Sequence, residues 1–157
     1  MFPEVVVPVC SPKLQSGPHP LRVPEDLVHH RLIHVDWGNL HDIEPDWQMW
    51  LACAGVEGVD GTKGPVFTVE NLAISAAIDG VGVALASTYA IAADLDEGRL
   101  VKPFDVTLPT DFCFWVVTLE KVADRPKVAA FRDWLMEEAA ETLAEQERQA
   151  AAPSVCG

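Results

Sequence analysis

The sequence is poor in positive charge. Eleven Lys and Arg stand against 24 Asp and Glu in 157 residues, leaving a formal net charge of −13. A chain this acidic is repelled by phosphate backbones and by anionic membrane, which argues against unaided binding to either. Long apolar runs are also missing. The longest uncharged stretch, between Asp79 and Asp94, is too short for the roughly 20 apolar residues that a bilayer span needs. The opening MFPEVVVPVC has no basic residue before its apolar run, and Glu4 and Pro8 interrupt it, so it does not read as a secretory leader. Cys156-Gly157 is not a prenylation box. The cytoplasm is the expected location. Cysteine is sparse and scattered: Cys10, Cys53, Cys113 and Cys156 form no C-x-x-C pair, and they read as small buried hydrophobes rather than a disulfide framework or zinc ribbon.

Signatures of catalysis and of cofactors are equally scarce. No phosphate-binding G-x-x-x-x-G-K-[ST] and no G-x-S-x-G elbow occur, and Ser75 falls inside a predicted helix. Gly80 and Gly82 lack the third glycine of a dinucleotide fingerprint and precede a strand rather than a helix. His29, His30 and His34 form H-H-x-x-x-H, but His34 falls in a predicted strand and no Glu lies in the E position of H-E-x-x-H, so these read as solvated or capping histidines. No cofactor, metal or catalytic set is expected.

What the chain does have is a globular composition, 49% hydrophobic with mean hydropathy +0.13, and a length that suits one domain or two small lobes. Val5 to Cys10 reads as a short buried strand in which Pro8 suits an edge or a crossover. Pro24 with Glu25 and Asp26 opens a short helix, with Val23 where a capping Ser or Thr is expected. Leu32 to Val35 reads as a strand, followed by a polar loop through Asp42 and Pro45. Asp46 to Ala54 reads as a helix burying Trp47, Trp50, Leu51 and Ala54.

Val66-Phe67 is a brief strand. Thr68 is placed to cap a helix over Glu70 to Ile78 that carries Leu72, Ala73, Ala76 and Ala77 and ends at Gly80. Val81 to Leu85 reads as a strand covered on both faces. Thr88 to Glu97 is a predicted helix, Leu100-Val101 a strand, and Phe112 to Leu119 a longer strand. Pro126 starts a last helix with Val128, Phe131, Trp134, Leu135 and Leu143 inward and the acidic run Glu137, Glu138, Glu141, Glu145 and Glu147 on its wet face. From Gln146 a frayed tail is expected. Alternating strands and helices predict an α/β sheet. At Thr68-Val69-Glu70-Asn71 a strand runs straight into a helix N-terminus, the kind of place where open α/β sheets bind ligands, although Glu70 already puts negative charge there.

The stretches VVVPVCSPKL, PLRVPEDLVHHRLIH, DWQMWLACAGV, GPVFTVENLAISAAIDGVGVALASTYAIAADLDEGRLVKPF and ADRPKVAAFRDWLMEEAAE, in this order and spacing, resemble the effector-binding region of LysR-type transcriptional regulators. The resemblance is strongest to the subgroup related to glycine-cleavage activators, and covers Val5 to Glu141.

It implies a periplasmic-binding-protein-like type II α/β fold, with two subdomains joined by crossover strands and a small-molecule cleft between them. Residues 1–10 would be the first crossover and part of subdomain I, and 11–111 the effector-binding subdomain II. Residues 112–145 would be the second crossover and C-terminal helix of subdomain I, and 146–157 a disordered tail. The winged helix-turn-helix, the linker helix and the opening strands of subdomain I are not in this stretch, so the chain reads as an N-terminally truncated fragment. Val66 and Val23 stand where the family often has Arg and Thr.

The function implied is effector sensing, not catalysis. The effector would be an amino acid or small organic acid. Self-association is expected, and DNA would be contacted only through the absent domain. Strand ends nominate Ser11, His34, Asp36, Thr68, Asn71 and Ser87 as effector contacts. A stand-alone small-molecule-binding or dimerisation module without a DNA partner is the alternative.

Overall fold

The computed structural model describes residues 2–38 and 44–151; side chains are described for 4–38, 44–108, 110, 113–144. The expected loop at Asp42, Cys156 and the end of the tail lie outside this range. The chain divides into two compact units, Glu4–Asp111 and the remainder, Met1–Pro3 with Phe112–Gly157.

The larger unit is built on a mixed sheet. β1 (Phe2–Val9), β2 (Leu32–Val35), β3 (Val66–Phe67), β4 (Val83–Ser87) and β5 (Leu108–Phe114) lie in the order β3-β2-β4-β1-β5. β3, β2 and β4 are parallel, and β1 runs antiparallel to β4 with Val6 opposite Ser87 and Val9 opposite Ala84. β1 is therefore an interior strand, not an edge. Pro8 leaves the ladder to β4 intact: Thr88 N–H donates to the Val5 carbonyl, so residues 5, 7 and 9 carry that ladder, and the missing amide of Pro8 falls on the β5 side. Cys10 continues the line by exchanging backbone hydrogen bonds with Val101, the single bridge that stands where a strand at Leu100-Val101 was expected.

Strand alternation divides the core between the two sheet faces. Val7, Val9, Ile33, Ala84 and Ala86 pack on α2 (Glu70–Ile78) through Ala73, Ile74, Ala76 and Ala77. Cys10, Leu32 and Val83 pack on α1 (Trp47–Ala54) through Trp47, Trp50 and Leu51, with Leu21, Leu27, Phe104 and Leu108 completing the layer. Asp46 caps α1, its Oδ1 accepting from Met49 N at 2.7 Å. Gly55 closes it in the left-handed region, at φ 68°. Gly82 allows β2 and β4 to meet: a Cβ there would collide with the Arg31 carbonyl, which accepts from Val83 N.

Several expected elements shift. Pro24–His29 is a 3-10 helix, and Asp26 supplies the cap that Val23 cannot: its Oδ2 accepts from the Arg22 and Val23 amides at 2.9 and 3.0 Å. These bonds hold the Asp26 carboxyl below its usual range. α2 has Val69 as its N-cap with no side-chain bond, so Thr68 does not cap it, and Leu72 is exposed. β4 starts two residues later than expected, and the helix foreseen over Thr88–Glu97 shrinks to α3 (Ala92–Asp96).

The smaller unit holds α4 (Glu120–Ala123) and α5 (Pro126–Ala151). α5 continues five residues past Gln146, where the sequence pattern had ended it. The strand expected over Phe112–Leu119 stops at Phe114; Trp115 and Val117 are 70% and 88% exposed. On α5, Ala139 is buried, whereas Phe131 and Trp134 lie exposed with their rings 5.6 Å apart rather than inward.

Candidate functional site

Because β2, β3 and β4 are parallel, their carboxyl ends share one edge of the sheet, and the loops leaving them bring Asp36, Thr68 and Ser87 to it. The N-terminus of α2 opens at the same edge with Glu70 and Asn71. Asp36 N donates to the Phe67 carbonyl at 2.7 Å, extending the β2–β3 ladder to the rim. Asp36 Oδ1 accepts from Gly38 N at 2.9 Å and tightens the turn beyond it. Thr68 and Asn71 are exposed. Ser87 is 3% exposed, and its Oγ has no hydrogen-bond partner.

His34 stands two residues before the rim, on the face that packs against α1; its Nε2 is also buried without a partner. Ser11 is at the other end of the sheet. β1 runs antiparallel to β4, so its C-terminal end meets the start of β4, and Ser11 N donates to the Ala77 carbonyl in the last turn of α2. Ser11, nominated as a strand end with the others, thus stands apart from Asp36, Thr68 and Ser87 because its strand runs the opposite way.

The residue that ties this edge together is Glu70. Its Oε1 accepts from Ser87 N at 3.4 Å, linking the first turn of α2 to the end of β4. Burial pushes its carboxyl above the usual glutamate range; the Ser87 amide opposes this, and the charge of Glu4 adds to it. Beside the edge, before α1, lies an open pocket of about 310 Å³ lined by Val35, Asp36, Trp37, Glu44, Pro45, Asp46 and Val66. The Glu44 carboxyl is raised too, by burial first and then by Glu4 and Glu70. Sequence reading missed Trp37, Glu44 and Asp46 as a group because only the tertiary fold brings them to one pocket with Val66. Elsewhere, His30 Nε2 meets the His19 carbonyl at 2.7 Å and the His19 and His29 rings stack, so these histidines join turns to one another.

The profile of the LysR substrate binding domain matches residues 1–140. The chain belongs to that family. It is 37% identical over 148 residues to the glycine cleavage system transcriptional activator of Escherichia coli K12, covering 94% of this chain and 46% of the relative. It is 33% identical over 131 residues to the transcriptional activator AmpR of Providencia stuartii, covering 83% of this chain and 41% of the relative. The chain thus spans somewhat under half the length of these relatives. Among solved structures, the effector domain of AmpR from Pseudomonas aeruginosa aligns with a TM-score of 0.72 and 27% identity over 92% of this chain and 66% of that one. The fold is accordingly the periplasmic-binding-protein-like type II fold of LysR effector domains, seen here as an α/β unit on a mixed sheet. Relatives that are transcriptional regulators fit the scarcity of catalytic motifs in this sequence.

Proposed function

We propose that this chain is the effector-sensing part of a LysR-type transcriptional regulator and that it binds a small metabolite rather than turning one over. In this reading residues 11–111 form the effector-binding subdomain, 1–10 and 112–145 supply crossover strands and the C-terminal helix of the companion subdomain, and Asp36, Thr68, Asn71 and Ser87, with His34 behind them, contact the effector. The observation that carries it is the meeting of three parallel strand ends and the α2 N-terminus at one sheet edge, in a chain of this family. Ligand closure would shift the geometry of an oligomer, and DNA would be contacted by a part of the regulator other than this acidic stretch. The setting is cytoplasmic; among the described residues no helix is long and apolar enough to cross a membrane. The test is a thermal-shift screen of amino acids and small organic acids. At least one should raise the melting temperature of the chain, and Thr68→Val with Asn71→Ala should abolish that rise. Steady turnover of any of them would refute the reading.

A further inference from the structure

The order of the parallel strands reverses at β2. From β2 the chain passes through α1 to β3 on one side of it, and from β3 through α2 to β4 on the other. The two helices accordingly cover opposite faces of the sheet. Open α/β sheets bind ligands at the carboxyl ends of the strands that flank such a reversal. In this protein those strands part. β2 goes on pairing with β3 through His34 and Val35, and β4 goes on pairing with β1 as far as Ser87, but the register between β2 and β4 ends at Ile33 and Ala84. The last residues of the two strands are left unpaired with each other, and a crevice begins there.

Glu70 reaches the mouth of this crevice. Amides alternate in direction along a strand, and Thr88 N donates to the Val5 carbonyl on β1, so Ser87 N points to the β2 side. It donates to Glu70 Oε1 at 3.4 Å. That is longer than the usual N–H···O distance of about 2.9–3.0 Å, so a single weak contact holds the carboxylate. Burial raises the Glu70 carboxyl and the charge of Glu4 adds to the rise, so the ionised group gains by swinging out to water. Other groups at the same place stay unused. Ser87 Oγ has no partner in a residue only 3% exposed. No side chain caps α2 at Val69, which leaves the amides of its first turn open.

We propose that the Glu70 carboxylate is an autoinhibitory contact: it holds the Ser87 amide at the mouth of the β2–β4 crevice, and a small effector carrying a carboxylate binds by displacing it. The inference rests on the effector-sensing reading and adds the effector's chemical class and a restraint on its binding. The incoming carboxylate takes over the Ser87 amide with one oxygen and the Ser87 hydroxyl with the other. Because one carboxylate replaces another, the charge at the crevice is unchanged once Glu70 turns to water. Displacement also unties the first turn of α2 from the end of β4, since Glu70 is the side chain that joins them. A contact closed for about nine-tenths of the time lowers apparent affinity about tenfold.

The test is an NMR titration of the ¹⁵N-labelled chain with acetate, glycine and succinate, read at the Ser87 amide. Glu70→Ala should bind at least one of them about tenfold more tightly than the wild-type chain, with a saturable shift of the Ser87 signal. Adding Ser87→Ala, which removes the hydroxyl and keeps the amide, should take back about threefold of that gain. Glu70→Asp separates contact from charge and stands in should Glu70→Ala fold poorly. Its carboxylate keeps the charge but is one methylene too short to reach Ser87 N, so it should gain affinity as well. Glu4→Gln removes a charge that acts on Glu70 without touching the contact, and should gain much less. Equal gains for Glu4→Gln and Glu70→Ala, or no gain for either Glu70 variant, overturn the inference. A compound from the wider amino-acid and organic-acid screen that binds the wild-type chain and both Glu70 variants equally also overturns it, and leaves the effector-sensing reading standing. If no compound saturates any signal in residues 4–111 of the wild-type chain or the variants, both fail.

Discussion

Trp50 tests the packing of the larger unit most directly. It is fully buried in the layer between α1 and the sheet, and Nε1 donates to the Val106 carbonyl at 3.1 Å. Its ring meets Trp47 edge-on at 5.7 Å and Phe104 at 5.8 Å. Replacing a fully buried Trp with Ala costs about 3–5 kcal/mol in lost transfer energy and residual cavity. The Val106 carbonyl also loses its donor, and an unmet buried acceptor costs ~1–3 kcal/mol when water cannot replace the partner. These contributions overlap, and about 4 kcal/mol is expected for Trp50→Ala. Against a domain stability of roughly 5–15 kcal/mol, that is a large share. Trp50→Phe keeps most of the apolar volume and loses the hydrogen bond, so about 1–2 kcal/mol is expected. The assay is native-state hydrogen exchange at the amides of β2 and β4, which reports this unit by itself. A loss below about 1 kcal/mol for Trp50→Ala, or equal losses for Ala and Phe, would show that neither cavity nor ring packing matters as argued.

Three other predictions address different features. Burial raises the Glu70 carboxyl, so the native state holds that proton more tightly than the unfolded chain; the ionised group costs stability at neutral pH, and the cost fades as pH falls through the raised value. Glu70→Gln should therefore raise the melting temperature more near neutrality than in mild acid, and the reverse pH trend would refute this. Burial pushes the Cys10 thiol up to about 11, whereas Cys53 is exposed, so mass-mapped alkylation of the native chain should mark Cys53 well before Cys10. Trp115, Val117 and Leu119 in the smaller unit are 70, 88 and 77% exposed, and an apolar cluster of that kind favours association. Sedimentation velocity should show mass rising with concentration, and the Trp115→Ser, Val117→Ser, Leu119→Ser triple variant should shift it towards monomer; a strictly monomeric wild-type chain would contradict the argument.

Local chemistry made much of this protein legible in advance. The i, i+3, i+4 spacing of Trp47, Trp50 and Leu51 marked α1, and all three are buried. Gly80 closed α2 at φ 82° as its position after Ile78 suggested. The order of segments carried the family and with it the fold. These features depend on neighbours a few residues away, and a linear sequence records such neighbours faithfully.

What the sequence could not supply was direction and closure. Whether a strand leaves the sheet at one edge or the other depends on its partner. β1 pairs antiparallel with β4, which carries Ser11 to the far end, while the parallel pairing of β2, β3 and β4 gathers Asp36, Thr68 and Ser87. Thr68 had the chemistry of a cap, but α2 begins on Val69, and the carboxylate of Glu70 engages the backbone of Ser87 instead. Glu44 lies 26 positions from Glu70 and 40 from Glu4, yet the charges of both reach it because folding brings β1, the first turn of α2 and the segment before α1 together. Patterning fixes which side chains seek the core; only strand pairing, formed between distant segments, decides which polar groups are left together at its edge.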